Sequence, residues 1–351
     1  MSKRILLITP VFYGLERIIK TELEKADYEV VWIENKILKF DYHGTKSKLR
    51  LLRRLYFLVT CPRNRYIKQQ LNRIHNQYFD VLFAINGHVI CASLFKKLKR
   101  TNPSLYSVLY LWDSICMYNW SYEFKYFKRV LTFDKLDSEN FHIEYKPNFF
   151  ISGVKPPVPG IVYDLSFIGK FNAYRYSILK CLIPELQING EYCLVILVPT
   201  YKILFHNKFI YNILKPLNTN NEWILNYILN FEAIEGILQD ALINKKNISY
   251  VESKSYLMAS NVILDLPYEK QSGYTHRVIE ALGNGKKVIT SNRGILKEPF
   301  YNPEQIQLVD PKVSALDTDW IKERREFKVD NYVANLELKP WLESILNVQV
   351  A

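Results

Sequence analysis

The stretch that most constrains this chain runs from Gln271 to Asn292, QSGYTHRVIEALGNGKKVITSN. Gln271-Ser272-Gly273 is a polar turn, and Val278, Ile279 and Leu282 follow at the spacing of one buried helix face. Gly283-Asn284-Gly285 predicts a stop, and Lys287–Thr290 resumes as a β-branched strand. Just upstream, Val262-Ile263-Leu264-Asp265-Leu266 is a short apolar run of the kind buried in a parallel sheet. Strand, turn, helix, stop and strand make one βαβ crossover. In open α/β sheets ligands bind at the carboxyl edge, where this polar turn falls.

The turn has the chemistry of an anion site. A helix starting near Tyr274 offers backbone N–H groups and a positive dipole end. The dipole contributes only about 0.3–1 kcal/mol at an exposed site. Arg277, in the first turn, adds a charge-assisted hydrogen bond of about 1.5–3 kcal/mol. Glu280 lies three residues on and shares Arg277's face, placed to accept hydrogen bonds from a ribose diol while Arg277 faces phosphates. The same spacing also describes a surface Arg–Glu pair on an ordinary crossover helix.

Glu280-Ala281-Leu282-Gly283 and Lys287-Val288-Ile289-Thr290 resemble the nucleotide-sugar half of GT-B glycosyltransferases, where a helix carries Glu, Ala, a small residue and Gly before a buried strand. The Gln-Ser-Gly turn, the Arg and Glu on the helix and the Gly-Lys-Lys strand entry resemble bacterial surface-polysaccharide glycosyltransferases more closely. A second segment extends the likeness: Asp164-Leu165-Ser166-Phe167-Ile168-Gly169 followed by Arg175-Tyr176 is similar to the start of that group's C-terminal domain. At Ser272 the chain departs from the many retaining members that carry a second Glu there, so neither retention nor inversion follows.

The resemblance implies an α/β protein of GT-B type with two Rossmann-like domains facing a cleft. The expected division is an acceptor-side domain over 1–150, a nucleotide-sugar domain over 160–325 and a tail over 326–351 packing back on the first. Asn148–Gly160, with several prolines and two glycines, reads as the linker.

At 351 residues the chain is long for one domain and comfortable for two. Five cysteines (Cys61, Cys91, Cys116, Cys181, Cys193) are odd in number and scattered, which fits a reducing cytoplasm. The opening MSKRILLITPVFYGL reads as a strand rather than a signal peptide, and no run approaches the ~20 apolar residues of a membrane span. The net charge of +12 is concentrated between Lys46 and Arg73, which contains no acid. In KSKLRLLRRLYFLV basic residues alternate with Leu, Tyr and Phe, so a helix there is basic and amphipathic. Either it is a solvated face or it docks on anionic lipid at the inner membrane surface. No nucleic-acid module accompanies the charge, and nucleic acid is not an expected partner.

Along the chain, Lys3–Thr9, Glu29–Ile33, Asp80–Asn86, Leu105–Trp112 and Val130–Phe133 read as strands of one sheet, with a helix over Glu16–Lys25. This βαβ start carries no G-x-G-x-x-G. Tyr163–Ile168 and Glu191–Val198 read as strands beyond the linker. Helices are expected over 221–242, 317–325 and 340–346.

In a GT-B cleft the N-terminal domain holds the acceptor, and an inverting enzyme needs a carboxylate or His to take the acceptor hydroxyl's proton. Asp113, in Leu111-Trp112-Asp113-Ser114, is the first candidate, and its bland alternative is capping the next turn. His88, after Gly87, is the second. Asp134 reads as a residue that orients backbone amides at its own strand end. The donor site is expected from Gly169, Lys170, Arg175, Asp265, Gln271, Ser272, Gly273, Tyr274, Thr275, Arg277 and Glu280. Arg277, Arg175 and Lys170 would stabilise the leaving phosphate without a metal. The one Asp-x-Asp match, Asp317-Thr318-Asp319, reads as a helix N-cap.

The expected activity is transfer of a sugar from a nucleoside-diphosphate sugar to a glycan or lipid-linked glycan, in lipopolysaccharide or capsule biosynthesis. The protein is expected to be cytoplasmic, with peripheral contact at the inner membrane face. Two alternatives stand beside it: transfer of a polyol phosphate from a CDP-activated donor, and a non-catalytic membrane-associated scaffold that keeps the fold.

Overall fold

The computed structural model describes residues 2–35, 62–87, 92–153, 162–170, 192–197, 208–217, 248–268, 271–310 and 316–346, with isolated positions besides. His88, residues 46–61 of the basic segment and most of the helix expected over 221–242 lie outside the described residues. The chain divides into two compact units, Met1–Asn148 with Leu338–Ala351, and Phe149–Glu337. Two parallel-sheet α/β units are what the GT-B resemblance implies, and the structure contains both.

In the first unit the strands are β1 (Lys3–Thr9), β2 (Tyr28–Glu34), β3 (Val81–Ile85), β4 (Tyr106–Leu111), β5 (Arg129–Thr132) and β6 (Glu144–Tyr145). Its described helices are α1 (Leu15–Lys25), α2 (Pro62–Arg73), α3 (Ala92–Thr101) and α4 (Lys135–Phe141). All strand pairs are parallel, in the order β2-β1-β3-β4-β5-β6. Ile5, Leu6, Leu7 and Ile8 of β1 are fully buried, as are Phe83, Ala84 and Ile85 of β3. Such continuous apolar runs mark strands covered on both faces.

The second unit has β7 (Tyr163–Lys170), β8 (Tyr192–Leu197), β9 (Ser260–Asp265), β10 (Lys287–Thr290) and β11 (Ile306–Leu308), parallel in the order β11-β10-β9-β7-β8. Its described helices are α5 (Lys208–Leu214), α6 (Tyr250–Met258), α7 (His276–Leu282), α8 (Thr318–Lys322) and α9 (Asn331–Ala334). The last helix, α10 (Leu338–Leu346), belongs to the first unit. There Trp341 is fully buried, its ring edge-on to Tyr110 at 4.8 Å and its indole N–H donating to the Pro147 carbonyl at 2.8 Å. Arg129 closes the same helix by donating to the Ser344 and Ile345 carbonyls at 2.9 and 2.8 Å, a cation at the negative end of the dipole.

The Gly-Asn-Gly stop after α7 divides its labour. Gly285 takes the left-handed conformation (φ 65°), whereas Gly283 remains helical with φ −67°. A Cβ on Gly283 would lie 2.3 Å from Cγ of Phe150, so that position is small because a ring occupies the space. Asp317 accepts from the Trp320 N–H at 3.0 Å and caps α8, the N-cap expected of the Asp-Thr-Asp sequence.

Gly283→Ala should therefore lower unfolding stability by about 1–3 kcal/mol through overpacking. Gly14→Ala, at φ 91° with nothing within 4 Å, carries backbone strain alone. Denaturant midpoints check the difference, and Phe150→Leu should recover most of the Gly283→Ala loss.

Candidate functional site

In the second sheet β7 lies between β8 and β9. The chain leaves β7 for β8 on one side and returns with β9 on the other, so the carboxyl ends of β7 and β9 flank a topological switch point. Asp265 closes β9 and is 1% exposed. Its Oδ1 accepts from the Thr275 hydroxyl at 2.6 Å and from Arg277 Nε and Nη2 at 3.1 and 2.9 Å. Its Oδ2 accepts from the Thr290 hydroxyl at 3.0 Å. One buried carboxylate thus ties the end of β9 to the start of α7 and the end of β10.

Arg277 also donates from Nη1 to the Ile168 carbonyl at 3.0 Å, and its guanidinium lies 5.3 Å from the centre of the Phe167 ring. Gly169 makes this approach feasible: a Cβ there would sit 2.8 Å from Phe167 Cζ and 3.4 Å from Arg277 Nη1. Arg175 joins from the chain after β7. Its Nε donates to the Leu266 carbonyl at 2.6 Å, Nη1 donates to the Lys170 carbonyl at 3.3 Å, and the guanidinium covers the Tyr268 ring at 4.3 Å. Arg277 Nη2 reaches the same Leu266 carbonyl at 3.4 Å, so the two guanidiniums meet on one oxygen. Burial, then the charge of Arg277, pushes Arg175 down to about 10, leaving it cationic at neutral pH. Lys170 stands exposed at the tip of β7. Gly169, Lys170, Arg175, Asp265, Thr275 and Arg277 therefore converge.

The polar turn is tied to the next loop. Gln271 N–H donates to the Tyr268 carbonyl at 2.9 Å, Asn292 Nδ2 donates to the Ser272 carbonyl at 2.8 Å, and the Tyr274 hydroxyl donates to Glu298 at 3.0 Å. Burial raises the Tyr274 hydroxyl above its ordinary value, with the Glu298 charge adding to it. Gly273 is buried beside Tyr274. Thr275 stands at the N-cap of α7 without capping it, its hydroxyl having gone to Asp265.

Glu280 does not join this cluster. It is 3% exposed, and its carboxylate receives the Lys254 ammonium, the Tyr250 hydroxyl and, at 3.1 Å, the Ile151 N–H. Lys254 comes from α6, is itself buried, and is pushed down to about 7 by that burial. Helical spacing alone put Glu280 beside Arg277. A buried ammonium on the neighbouring helix draws its carboxylate inward, because an unpaired buried charge costs several kcal/mol.

In the first sheet β1 lies between β2 and β3, so β1 and β3 flank its switch point. The loop after β1 holds Tyr13 at φ 55° and Gly14 at φ 91°, with Phe12 N–H donating to Glu16 at 3.0 Å. Phe12 packs on Trp112 at 5.4 Å between ring centres. Asp113 follows β4 and accepts from Asn86 Nδ2 at 2.8 Å. Asp134 accepts from the Leu136 and Asp137 N–H groups at 3.1 and 3.4 Å, orienting amides at its own strand end as its position suggested. Sequence reasoning passed over Asn86, Tyr268, Thr290 and Lys254. Asn86 and Thr290 carried a usable signal, each being a polar residue at the end of an apolar strand.

No family model matches the chain, and no curated protein matches it. Among solved structures it is similar to the lipopolysaccharide outer core galactosyltransferase WaaB in its apo form, at 13% identity over 98% of this chain and 96% of that one, with a TM-score of 0.42. It is also similar to the catalytic domain of starch synthase IV from Arabidopsis thaliana bound to ADP and acarbose (9% identity, 99% and 96% coverage, TM-score 0.48). A third is the N-terminal domain of trehalose-6-phosphate phosphatase from Candida albicans (10% identity, 98% and 96% coverage, TM-score 0.49).

Two titratable groups give the units opposite pH responses. Burial pushes His276, at the start of α7, down to about 4 from an ordinary 6.5. The unfolded chain then binds the extra proton, so this contribution to stability is lost as pH falls from about 6.5 towards 4, on the order of 3 kcal/mol in full. Burial pushes Asp137 in the first unit up to about 6, and its contribution is lost as pH rises from about 4 through 6. His276→Gln should flatten the acid-side loss of thermal stability in the second unit, and Asp137→Asn should remove the opposing trend in the first. Hydrogen exchange in each unit between pH 4 and 7 checks both. Separately, Glu280→Ala strands the buried Lys254 and should cost about 3–5 kcal/mol with no nucleotide present. Chemical denaturation measures that loss.

Proposed function

We propose that this chain is a GT-B-type glycosyltransferase that moves a sugar from a nucleoside-diphosphate sugar to a glycan or lipid-linked glycan in bacterial lipopolysaccharide or capsule biosynthesis. The observation that carries the reading is the meeting of Arg175 and Arg277 on one carbonyl at the β7/β9 switch point, with Lys170 beside them. Asp265 pairs with Arg277, and its charge also acts on Arg175. Such a cluster at the carboxyl edge of a parallel sheet attracts an anion of high charge density, and guanidiniums match phosphate oxygens in a fork geometry. Helix α7 has only seven residues, so the arginines rather than its dipole supply the attraction.

The motif resemblance narrows the anion to the diphosphate of a sugar nucleotide. In the transfer step the acceptor oxygen bonds to the anomeric carbon as the bond from that carbon to the phosphate oxygen breaks. Negative charge then grows on the leaving diphosphate, where Arg277, Arg175 and Lys170 stabilise it without a metal in this reading. Asp113 takes the acceptor hydroxyl's proton. Glu280 fixes the helix that carries Arg277, and its contact with a ribose is not part of the proposal.

In this reading the acceptor lies at the inner membrane face, reached through the basic segment 46–73. Of that segment α2 is described: it buries Ile67 and Gln70 and exposes Arg65 and Lys68. Among the described residues no helix is long and apolar enough to cross a membrane.

Thermal unfolding with UDP, GDP, CDP or ADP, without metal, tests the donor site. A ligand at one hundred times Kd adds about 2.7 kcal/mol, a shift of a few degrees. One nucleoside diphosphate should stabilise the wild type and fail to stabilise Arg277→Ala. A wild type that no nucleotide shifts removes the donor-site reading and leaves the non-catalytic scaffold.

A further inference from the structure

We infer that Asn86 is a positioning residue for Asp113, an inference that rests on the transferase reading above. Asn86 follows β3 at the switch point of the first sheet and is 2% exposed. Its backbone lies in the left-handed region at φ 57°, which Asn tolerates better than most side chains. From there its amide grips the end of the neighbouring strand at two points. Oδ1 accepts from the Trp112 N–H at 3.2 Å, and Nδ2 donates to Asp113 Oδ2 at 2.8 Å. The Asn86 N–H donates to the Tyr110 carbonyl at 2.9 Å, so contacts at Tyr110, Trp112 and Asp113 fix the exit of β4.

Asn86 is itself held. Asn35, 1% exposed at the end of β2, donates from Nδ2 to the Ile85 and Asn86 carbonyls at 2.8 and 2.9 Å, and its N–H donates to the Thr9 carbonyl at 2.6 Å. The carboxyl ends of four adjacent strands, β2, β1, β3 and β4, are thus joined through the side chains and backbone N–H groups of two buried asparagines, and the line ends on the carboxylate of Asp113. A buried network with its members satisfied holds its last group in one orientation. An amide accepts from a backbone N–H with its oxygen and donates to a carboxylate with its nitrogen at once. Asp at this position keeps the size and the left-handed tolerance but sets two carboxylates face to face, where both cannot stay ionised.

Three variants test the inference: Asn86→Asp, Asp113→Asn, and the swap that combines them. Turnover is read as nucleoside diphosphate released from UDP-, GDP-, CDP- and ADP-activated sugars, with lipid-linked saccharides extracted from bacterial envelopes as acceptor. Thermal midpoints are measured alongside, with and without the nucleotide. Both single variants should lose about 100-fold in kcat with donor KM unchanged, the scale of a misplaced reacting group. The swap restores a donor facing an acceptor, so it should recover the thermal midpoint but not kcat.

A swap that recovers both shows that the carboxylate's place does not matter, and overturns the inference. Wild-type kcat in Asn86→Asp, with Asp113→Asn inactive, removes the positioning role while leaving Asp113 as the proton acceptor. Full activity in Asp113→Asn removes that acceptor and the inference with it, while nucleotide stabilisation still tests the donor site. A wild type inert on the whole panel defeats the transferase reading itself, and the inference falls with it. If Asn86→Asp fails to fold, Asn86→Gly, which tolerates φ 57° and lacks the amide, takes its place with the same reading of kcat and donor KM.

Discussion

The second unit is organised around the carboxylate of Asp265. At 1% exposure its oxygens need partners, and four donor groups from three residues supply them. Each donor is committed by that need. Thr275 gives up capping α7, Thr290 ties the end of β10 to β9, and Arg277 is held over the Phe167 ring. The orientation of Arg277 is therefore a by-product of solvating one buried acid. Gly169 and the Leu266 carbonyl then complete the cradle that brings Arg175 alongside.

The two units solve the same problem by different chemistry. Strand ends at a switch point carry backbone groups that must be satisfied. In the first unit neutral amides, Asn35 and Asn86, close the strand ends and lead to one carboxylate. In the second a carboxylate and guanidiniums close them, leaving cationic groups at the edge. Under the proposed function the difference matches the ligands. A hydroxyl that must lose a proton calls for an oriented acceptor, and a diphosphate calls for fixed positive charge. The proposed acceptor and donor roles follow that division.

Much of the fold was legible because its strands are buried on both faces and read as unbroken apolar runs. Lys287–Thr290 has the bounds expected of it, and β1 coincides with Lys3–Thr9. The short strands β6 and β11, of two and three residues, were not seen because they are too brief to show a period. At the site Arg277, Asp265, Gly169 and Arg175 could be singled out by residue type at the ends of strands and the starts of helices. Glu280 could be singled out too, but not its partners: helical spacing describes neighbours on the same helix, and Lys254 lies on another. Lys287 teaches the same lesson. It is fully buried within β10, where its ammonium donates to the Trp320 and Glu323 carbonyls at 2.7 and 2.8 Å, a contact across 33 and 36 residues.

By itself the sequence determined the two α/β units, the carboxyl edges that carry polar residues, and the basic side chains placed there. These depend on local periodicity and on the residue types that end strands and helices. Only the tertiary structure decided which charges meet. It paired Glu280 with Lys254, set Arg175 and Arg277 on one carbonyl, and ran the Asn35–Asn86 line to Asp113. Such pairings follow from the cost of burying a polar group without a partner. That cost is met by whichever donor the packing brings within about 3 Å, and sequence spacing does not encode it.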